Sequence, residues 1–233
     1  MLADLVLKIR QAKKWCGDND FPSNKLTREL RVAQFFEHMG QMVPNVHRSS
    51  NELCDSIVGC IMTLKLKKVL EIGTLFGYST LHLAEAAAMV GGHVVTVHLR
   101  VSERKWQNGE VVKDIHLAAE KNIQNAGFGK VVTFMAGRSE QILSQLVLAG
   151  EQFDLIFIDG SHSRYVVTLD LLNSINLISP GGLIFLDDIS EGIAVKDFHH
   201  GGPNSIIPPL IAAGRFDILL LSSNTMVLRP RVA

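Results

Sequence analysis

The sequence predicts an α/β fold built on a mostly parallel sheet, and three observations predict it. From Lys68 onward, short β-rich runs alternate with amphipathic helical stretches. These runs are nearly continuous in apolar residues, the pattern of strands buried on both faces. The exception comes last: Phe216 to Leu221, the polar Ser222-Ser223-Asn224-Thr225, and Met226 to Arg229 read as a hairpin that brings in one antiparallel strand.

The chain has 233 residues, 47% of them hydrophobic, enough to bury one substantial core. A single α/β domain over 49–233 with a helical segment over 1–48 is the expected division. Lysine plus arginine balance aspartate plus glutamate, 23 against 23, so no net field draws the chain to nucleic acid or to anionic lipid. Cys16, Cys54 and Cys60 are an odd number without metal-site spacing, and two of them fall in one amphipathic stretch. Reduced, buried thiols and a cytoplasmic setting are expected. Residues 1–15 alternate charge with apolar side chains, unlike a signal peptide, and no run approaches the ~20 apolar residues of a membrane span.

Taken in order, Leu2, Leu5, Val6 and Ile9 mark a first helical face, and Leu26, Leu30, Ala33 and Phe36 a second, separated by the turn-rich stretch 17–23. Ser49 with Glu52 three residues on resembles a capping box for a third helix, which carries Leu53, Ile57, Val58 and Ile61. The first two helices lie outside the strand–helix alternation. They are expected to cap the cofactor mouth or to make an oligomer contact, a homodimer in the simplest case. Strands are predicted at 69–72, 94–98, 131–135, 155–158 and 183–186, with helices between them. The helix over 80–89 follows the first strand, that over 113–126 stops at Gly127, and Ser139 is expected to cap 140–148. A last helix carries Tyr165, Leu169, Leu172 and Ile178 up to Pro180-Gly181-Gly182. The segment 190–204 reads as a flexible insert of the kind that shapes an acceptor pocket, in which His199 and His200 either reach that pocket or sit in a solvated loop.

The chemistry gathers where strands end. In Val69 to Thr80, V-L-E-I-G-T-L-F-G-Y-S-T, a buried strand turns through glycine into a helix N-terminus, where backbone N–H groups and the helix dipole favour an anionic ligand group. Its spacing, Glu71-x-Gly73-x-x-x-Gly77, is not the dinucleotide pattern G-x-G-x-x-G, which counts against a nicotinamide dehydrogenase. Gly73 and Gly77 allow close backbone approach, and Glu71 can accept hydrogen bonds from an ammonium or hydroxyl. Asp159, Asp187 and Asp188 each end an apolar run at the sheet's carboxyl edge. Converging there, they would need a cation or shared protons, and oxygen ligands suit Mg²⁺ or Mn²⁺. His162, three residues after Asp159, can take a proton near neutral pH; the same D-G-S-H turn also suits a surface histidine.

V-L-E-I-G-T-L-F-G-Y-S-T, F-D-L-I-F-I-D-G-S-H-S-R-Y and S-P-G-G-L-I-F-L-D-D occur in that order and at suitable distances. Together they resemble the class I S-adenosylmethionine-dependent methyltransferases, and among these the catechol and caffeoyl-coenzyme A O-methyltransferases, over roughly 49–233. The resemblance implies a Rossmann-like seven-stranded sheet with helices on both faces, and methyl transfer from S-adenosylmethionine to a hydroxyl of a small molecule. It implies cofactor contacts from Glu71, Gly73, Thr74, Gly77, Ser79, His98, Asp159 and the adenine-binding turn Gly137-Arg138-Ser139, with Glu140 near the base. It assigns a divalent metal to Asp159, Asp187 and Asp188, the last standing where the family has asparagine. His162 takes the place of the family's lysine near the acceptor hydroxyl, and with Asp159 is the expected catalytic pair.

His98 departs from the pattern, since the family has an acid there to grip the ribose. A neutral imidazole accepts one hydrogen bond where a carboxylate accepts two. Either His98 makes a weaker ribose contact, or Glu103 substitutes for the acid, or cofactor affinity is reduced; a plain strand-end histidine is an equal reading. A metal-independent sugar O- or N-methyltransferase, and a cofactor-binding protein without transfer activity, are the alternative functions.

Overall fold

The computed structural model describes residues 49, 51–100, 103–105, 111–189, 201–220 and 224–231. The two N-terminal helices, Cys16, the insert 190–200 with His199 and His200, and both tryptophans lie outside the described residues. In order come α1 (Asn51–Leu64), β1 (Lys68–Ile72), α2 (Tyr78–Met89), β2 (His93–His98), β3 (Glu103–Lys105), β4 (Val111–Lys113), α3 (Ile115–Asn125), β5 (Val132–Ala136) and α4 (Ser139–Leu148). They are followed by β6 (Phe153–Ile158), α5 (Arg164–Leu177), β7 (Ile178–Leu186), α6 (Gly201–Ala212), β8 (Phe216–Leu220) and β9 (Met226–Pro230). None of the described helices is long and apolar enough to cross a membrane.

Seven strands form one sheet in the order β5-β2-β1-β6-β7-β9-β8. β6 pairs parallel with β1 and with β7, placing Ile72 opposite Ile158 and Ile158 opposite Leu186. β9 runs antiparallel to both β7 and β8, so the hairpin supplies the expected reversed strand. β3 and β4 form a separate antiparallel ribbon that the sequence did not suggest.

The chain forms two compact units. One contains 67–73, 95–99 and the described residues from 134 onward. Here both alternations of the central strands are buried: Leu70, Ile72, Ile156, Ile158, Ile184 and Leu186 share a cluster with Leu143 of α4, Leu171 of α5 and Ile206 of α6. Val69, Leu155, Phe157, Leu183 and Phe185, which alternate with them, are also fully buried. Burying such a side chain contributes roughly 1.5–3 kcal/mol, which is why these strands tolerate so little polarity. The main-chain amides of Lys67 and Lys68 both donate to Asp154 Oδ2, at 2.8 and 3.0 Å, and fix where β1 begins beside β6.

The other unit contains 74–94, 100–133 and the described residues up to 66. In it α1 packs on α2 and α2 on α3. Asn122 Nδ2 of α3 donates to the Phe76 carbonyl at 3.2 Å, holding the turn that opens α2. Cys54 and Cys60 are buried, unoxidised thiols, as expected.

Several boundaries differ from the sequence reading, four of them with a physical reason or a bearing on the site. The helix predicted from Lys113 starts at Ile115, because Lys113 pairs in β4. Ser139 is the first residue of α4 and not its cap; the cap position belongs to Arg138, which makes no side-chain capping bond. α5 ends at Leu177, and Ile178 to Gly182 belong to β7 across a register irregularity opposite Phe153 to Leu155. Finally, Gly201 to Asn204, read as part of the insert, open α6.

Candidate active site

Most of the expected site residues stand at the carboxyl ends of neighbouring strands in the sheet unit. Glu71 is fully buried on β1 and accepts a hydrogen bond from Thr96 Oγ1 of β2 at 2.6 Å. Gly73, just past β1, has φ +114°, and a Cβ there would lie 2.0 Å from the Asp159 carbonyl oxygen. Only glycine lets the two chains leave β1 and β6 this closely. The Asp159 amide completes the junction by donating to the Ile72 carbonyl at 2.9 Å.

His98 ends β2 as a buried ring tilted against Phe134 of β5, with centroids 6.0 Å apart. Its carbonyl accepts the Gly137 amide proton at 2.8 Å, so the β2 end and the Gly137-Arg138-Ser139 turn are one hydrogen-bonded piece. Arg138 is exposed and its Nε donates to Glu140. Ser139 is half-buried, and its hydroxyl points away from the capping role toward α5, donating to Asp170 Oδ2 at 3.1 Å.

The acidic edge follows at β6 and β7. Asp187 is buried, its amide donates to the Ile158 carbonyl at 3.1 Å, and its Oδ1 accepts from Thr225 Oγ1 at 2.7 Å. Burial pushes the Asp187 carboxyl up to about 6 against the Thr225 hydrogen bond, and the charge of Asp188 adds to the rise. Asp188 takes the left-handed backbone conformation, φ 60°, and its Oδ2 lies 3.1 Å from His162 Nε2. α6 supports the loop that carries His162: a Cβ on Gly202 would fall 2.1 Å from the His162 carbonyl oxygen. Among the described residues, no group of three or more His, Cys, Asp or Glu is arranged to hold a metal. As they stand, Asp159, Asp187 and Asp188 are strand-end neighbours and not a cation cage.

Thr74, Gly77 and Ser79 belong to the other unit, at the start of α2. Gly77, at φ 84°, occupies the cap position, and its amide donates to the Thr74 carbonyl at 2.7 Å. Ser79 is buried in the first helical turn, where main-chain N–H groups suit a carboxylate.

A family model described as a methyltransferase domain matches residues 70–189, from the β1 glycine turn through the β7 acids. The chain belongs to that family. It is similar to a catechol O-methyltransferase of Niastella koreensis, 34% identical over 162 residues, which cover 69% of this chain and 64% of that protein. It is also similar to a catechol O-methyltransferase of Mycobacterium tuberculosis, 34% identical over 129 residues, covering 55% of this chain and 51% of that protein. The chain thus spans between half and two thirds of the length of these relatives. Among solved structures it resembles an O-methyltransferase from Bacillus cereus in complex with SAH, with TM-score 0.66 at 22% identity, over 93% of this chain and 96% of that one. Its fold is the Rossmann-like one of the class I S-adenosylmethionine-dependent O-methyltransferases.

For this methyltransferase-family chain, Thr96, Thr225, Gly202 and Asp170 are the site neighbours that sequence reasoning missed. Thr96 carried a usable signal, since it shares a strand face with His98 two residues on. Asp170 also carried one: a carboxylate at helical spacing within the buried stripe Val167, Leu171, Ser174 and Leu177.

Burial pushes the Asp170 carboxyl up to about 6, against the Ser139 hydrogen bond, with the Glu140 charge adding to the rise. Its folded pKa lies above the unfolded one, so its stabilising contribution is complete below about pH 4 and is lost as pH rises through about 6. Asp170→Asn keeps a hydrogen-bonding partner for Ser139 and removes the charge. In urea unfolding it is expected to match the unaltered protein near pH 4.5 and to exceed it at pH 8 by roughly 1–3 kcal/mol. A variant less stable at pH 8 than the unaltered protein would contradict the buried-charge account.

Proposed function

We propose that this chain transfers a methyl group from S-adenosylmethionine to a hydroxyl of a small molecule, with residues 49–233 as the catalytic domain. The observation that carries the reading is the His162–Asp188 pair, 3.1 Å apart at the ends of β6 and β7 in a methyltransferase fold. Each unit by itself offers groups suited to the cofactor: in one, helix N–H groups with Ser79 suit a carboxylate; in the other, a glycine turn lies beside Glu71, and the joined His98 and Gly137-Arg138-Ser139 piece suits a nucleoside. When bound, the cofactor supplies a methyl group on a positively charged sulfur. The acceptor oxygen forms the new C–O bond as the C–S bond breaks, so one proton must leave that oxygen. His162 takes it, and the Asp188 carboxylate stabilises the imidazolium that results. Asp159, tied to the β1 end through its amide, helps shape the floor between cofactor and acceptor.

A second reading adds Mg²⁺ or Mn²⁺ on Asp159, Asp187 and Asp188. It draws support from the catechol O-methyltransferase names of the relatives and from two adjacent acids, one of them raised by burial. Among the described residues, these carboxylates are not grouped as metal ligands.

Release of S-adenosylhomocysteine from S-adenosylmethionine, with a panel of phenols, catechols, sugars and amines, tests both readings. Turnover confined to hydroxyl acceptors and surviving excess EDTA is the expected result. Loss in EDTA with recovery on adding Mg²⁺ selects the second reading, and turnover of amines alone rejects O-methylation.

A further inference from the structure

Asp170 is a buried carboxylate that the mechanism above does not use. It is fully buried on α5, and its Oδ1 has no hydrogen-bond partner among the described residues, while Oδ2 takes the single proton of the Ser139 hydroxyl at 3.1 Å. A half-satisfied buried acid costs stability that an apolar residue in the same stripe would not. Such a cost is tolerated where a site needs it.

The consequence lies at Ser139. A hydroxyl has one proton and two lone pairs, and with its proton given to Asp170 the Ser139 oxygen can only accept from anything else. Ser139 is half-buried and follows Gly137, whose amide binds the β2 end at His98, so it lies in the turn assigned to the cofactor's base. An acceptor there matches an exocyclic amine, as on adenine, and opposes a carbonyl at the same position, as on hypoxanthine. An N–H donor on the acid's side would instead free the serine proton and let the turn suit either base.

We infer that Asp170 is a positioning residue that fixes Ser139 as a hydrogen-bond acceptor, so that the Gly137-Arg138-Ser139 turn selects the adenine amino group of the cofactor. This rests on the transferase reading. Asp170 acts from α5, through its bond to Ser139.

Calorimetry with S-adenosylhomocysteine and S-inosylhomocysteine, which differ in that one group, tests it. The unaltered protein should prefer the adenosyl ligand by about tenfold or more, the value of one well-placed hydrogen bond over a mismatched one. In Asp170→Asn the amide can turn its N–H to Ser139, so the preference should fall to within about threefold while the melting temperature at pH 8 does not fall. Ser139→Ala should also lose the preference, and the double variant should lose no more than Ser139→Ala. An undiminished preference in Asp170→Asn overturns the inference, as does an equal weakening of both ligands, which is what a structural role would give. Failure of the unaltered protein to bind S-adenosylhomocysteine removes the transferase reading and this inference together, whereas binding with an unchanged preference removes only the inference.

Discussion

Replacing His162 with alanine is expected to lower kcat by about 10²–10⁴-fold and to leave S-adenosylhomocysteine affinity within about twofold. The two readouts separate because His162 follows the β6 end, whereas the turn proposed to hold the adenine follows β5. His162 is half-buried and its imidazole pairs with Asp188, so the charge it gains on taking a proton meets a carboxylate already in place. Asp188→Asn should retain part of the rate, because the imidazolium that forms on His162 loses its counter-charge. Steady-state rates with the best acceptor of the panel, over pH 5.5–9, check both variants. An unchanged kcat in His162→Ala would remove the proposed base.

Gly73→Ala is expected to be the most damaging single methyl in the sheet unit. Its Cβ would lie 2.0 Å from the Asp159 carbonyl oxygen, 2.5 Å from the carbonyl carbon and 2.9 Å from Gly160 Cα, all main-chain atoms, at φ +114°. Backbone cannot rotate away as a side chain can, so either β1 or β6 must move at its end. A loss of about 4 kcal/mol or more in urea unfolding, with S-adenosylhomocysteine binding abolished, is the expected result. Gly77→Ala provides the contrast: its φ is +84°, but the nearest atom to a new Cβ lies 3.5 Å away, so only the cost of the left-handed conformation, on the order of 1 kcal/mol, should appear. Equal midpoints for the two variants would show that the close approach at Asp159 carries no cost.

What was legible in the sequence was what short-range chemistry dictates. The runs ending in Glu71, His98, Asp159 and Asp187 could be read as strands because two-sided burial leaves little room for polar residues before the carboxyl end. The hairpin of β8 and β9 was equally plain, since four polar residues interrupt two apolar runs. What stayed hidden depends on partners distant in sequence. Ser139 looked like a cap because serine before a helix usually is one, and only the packing of α5 on α4 reveals Asp170 as its acceptor. Pro180-Gly181-Gly182 looked like punctuation after a helix, yet β7 runs through it, using an irregular register opposite Phe153 to Leu155. α6 was obscured by Gly201, Gly202, Pro203, Pro208 and Pro209, a composition that argues against a helix on propensity alone. Tertiary contact outweighs that propensity at Gly202, where a bare Cα is what lets α6 meet the His162 loop.

The ends of the stretch between Ile189 and Gly201 are anchored independently of it. The Ile189 amide donates to the Asn224 carbonyl at 2.9 Å, and Gly202 rests against the His162 carbonyl. Chain spliced between two such moorings can change in length and composition without displacing His162. In the proposed reaction, proton removal at His162 then does not depend on the sequence of that connector.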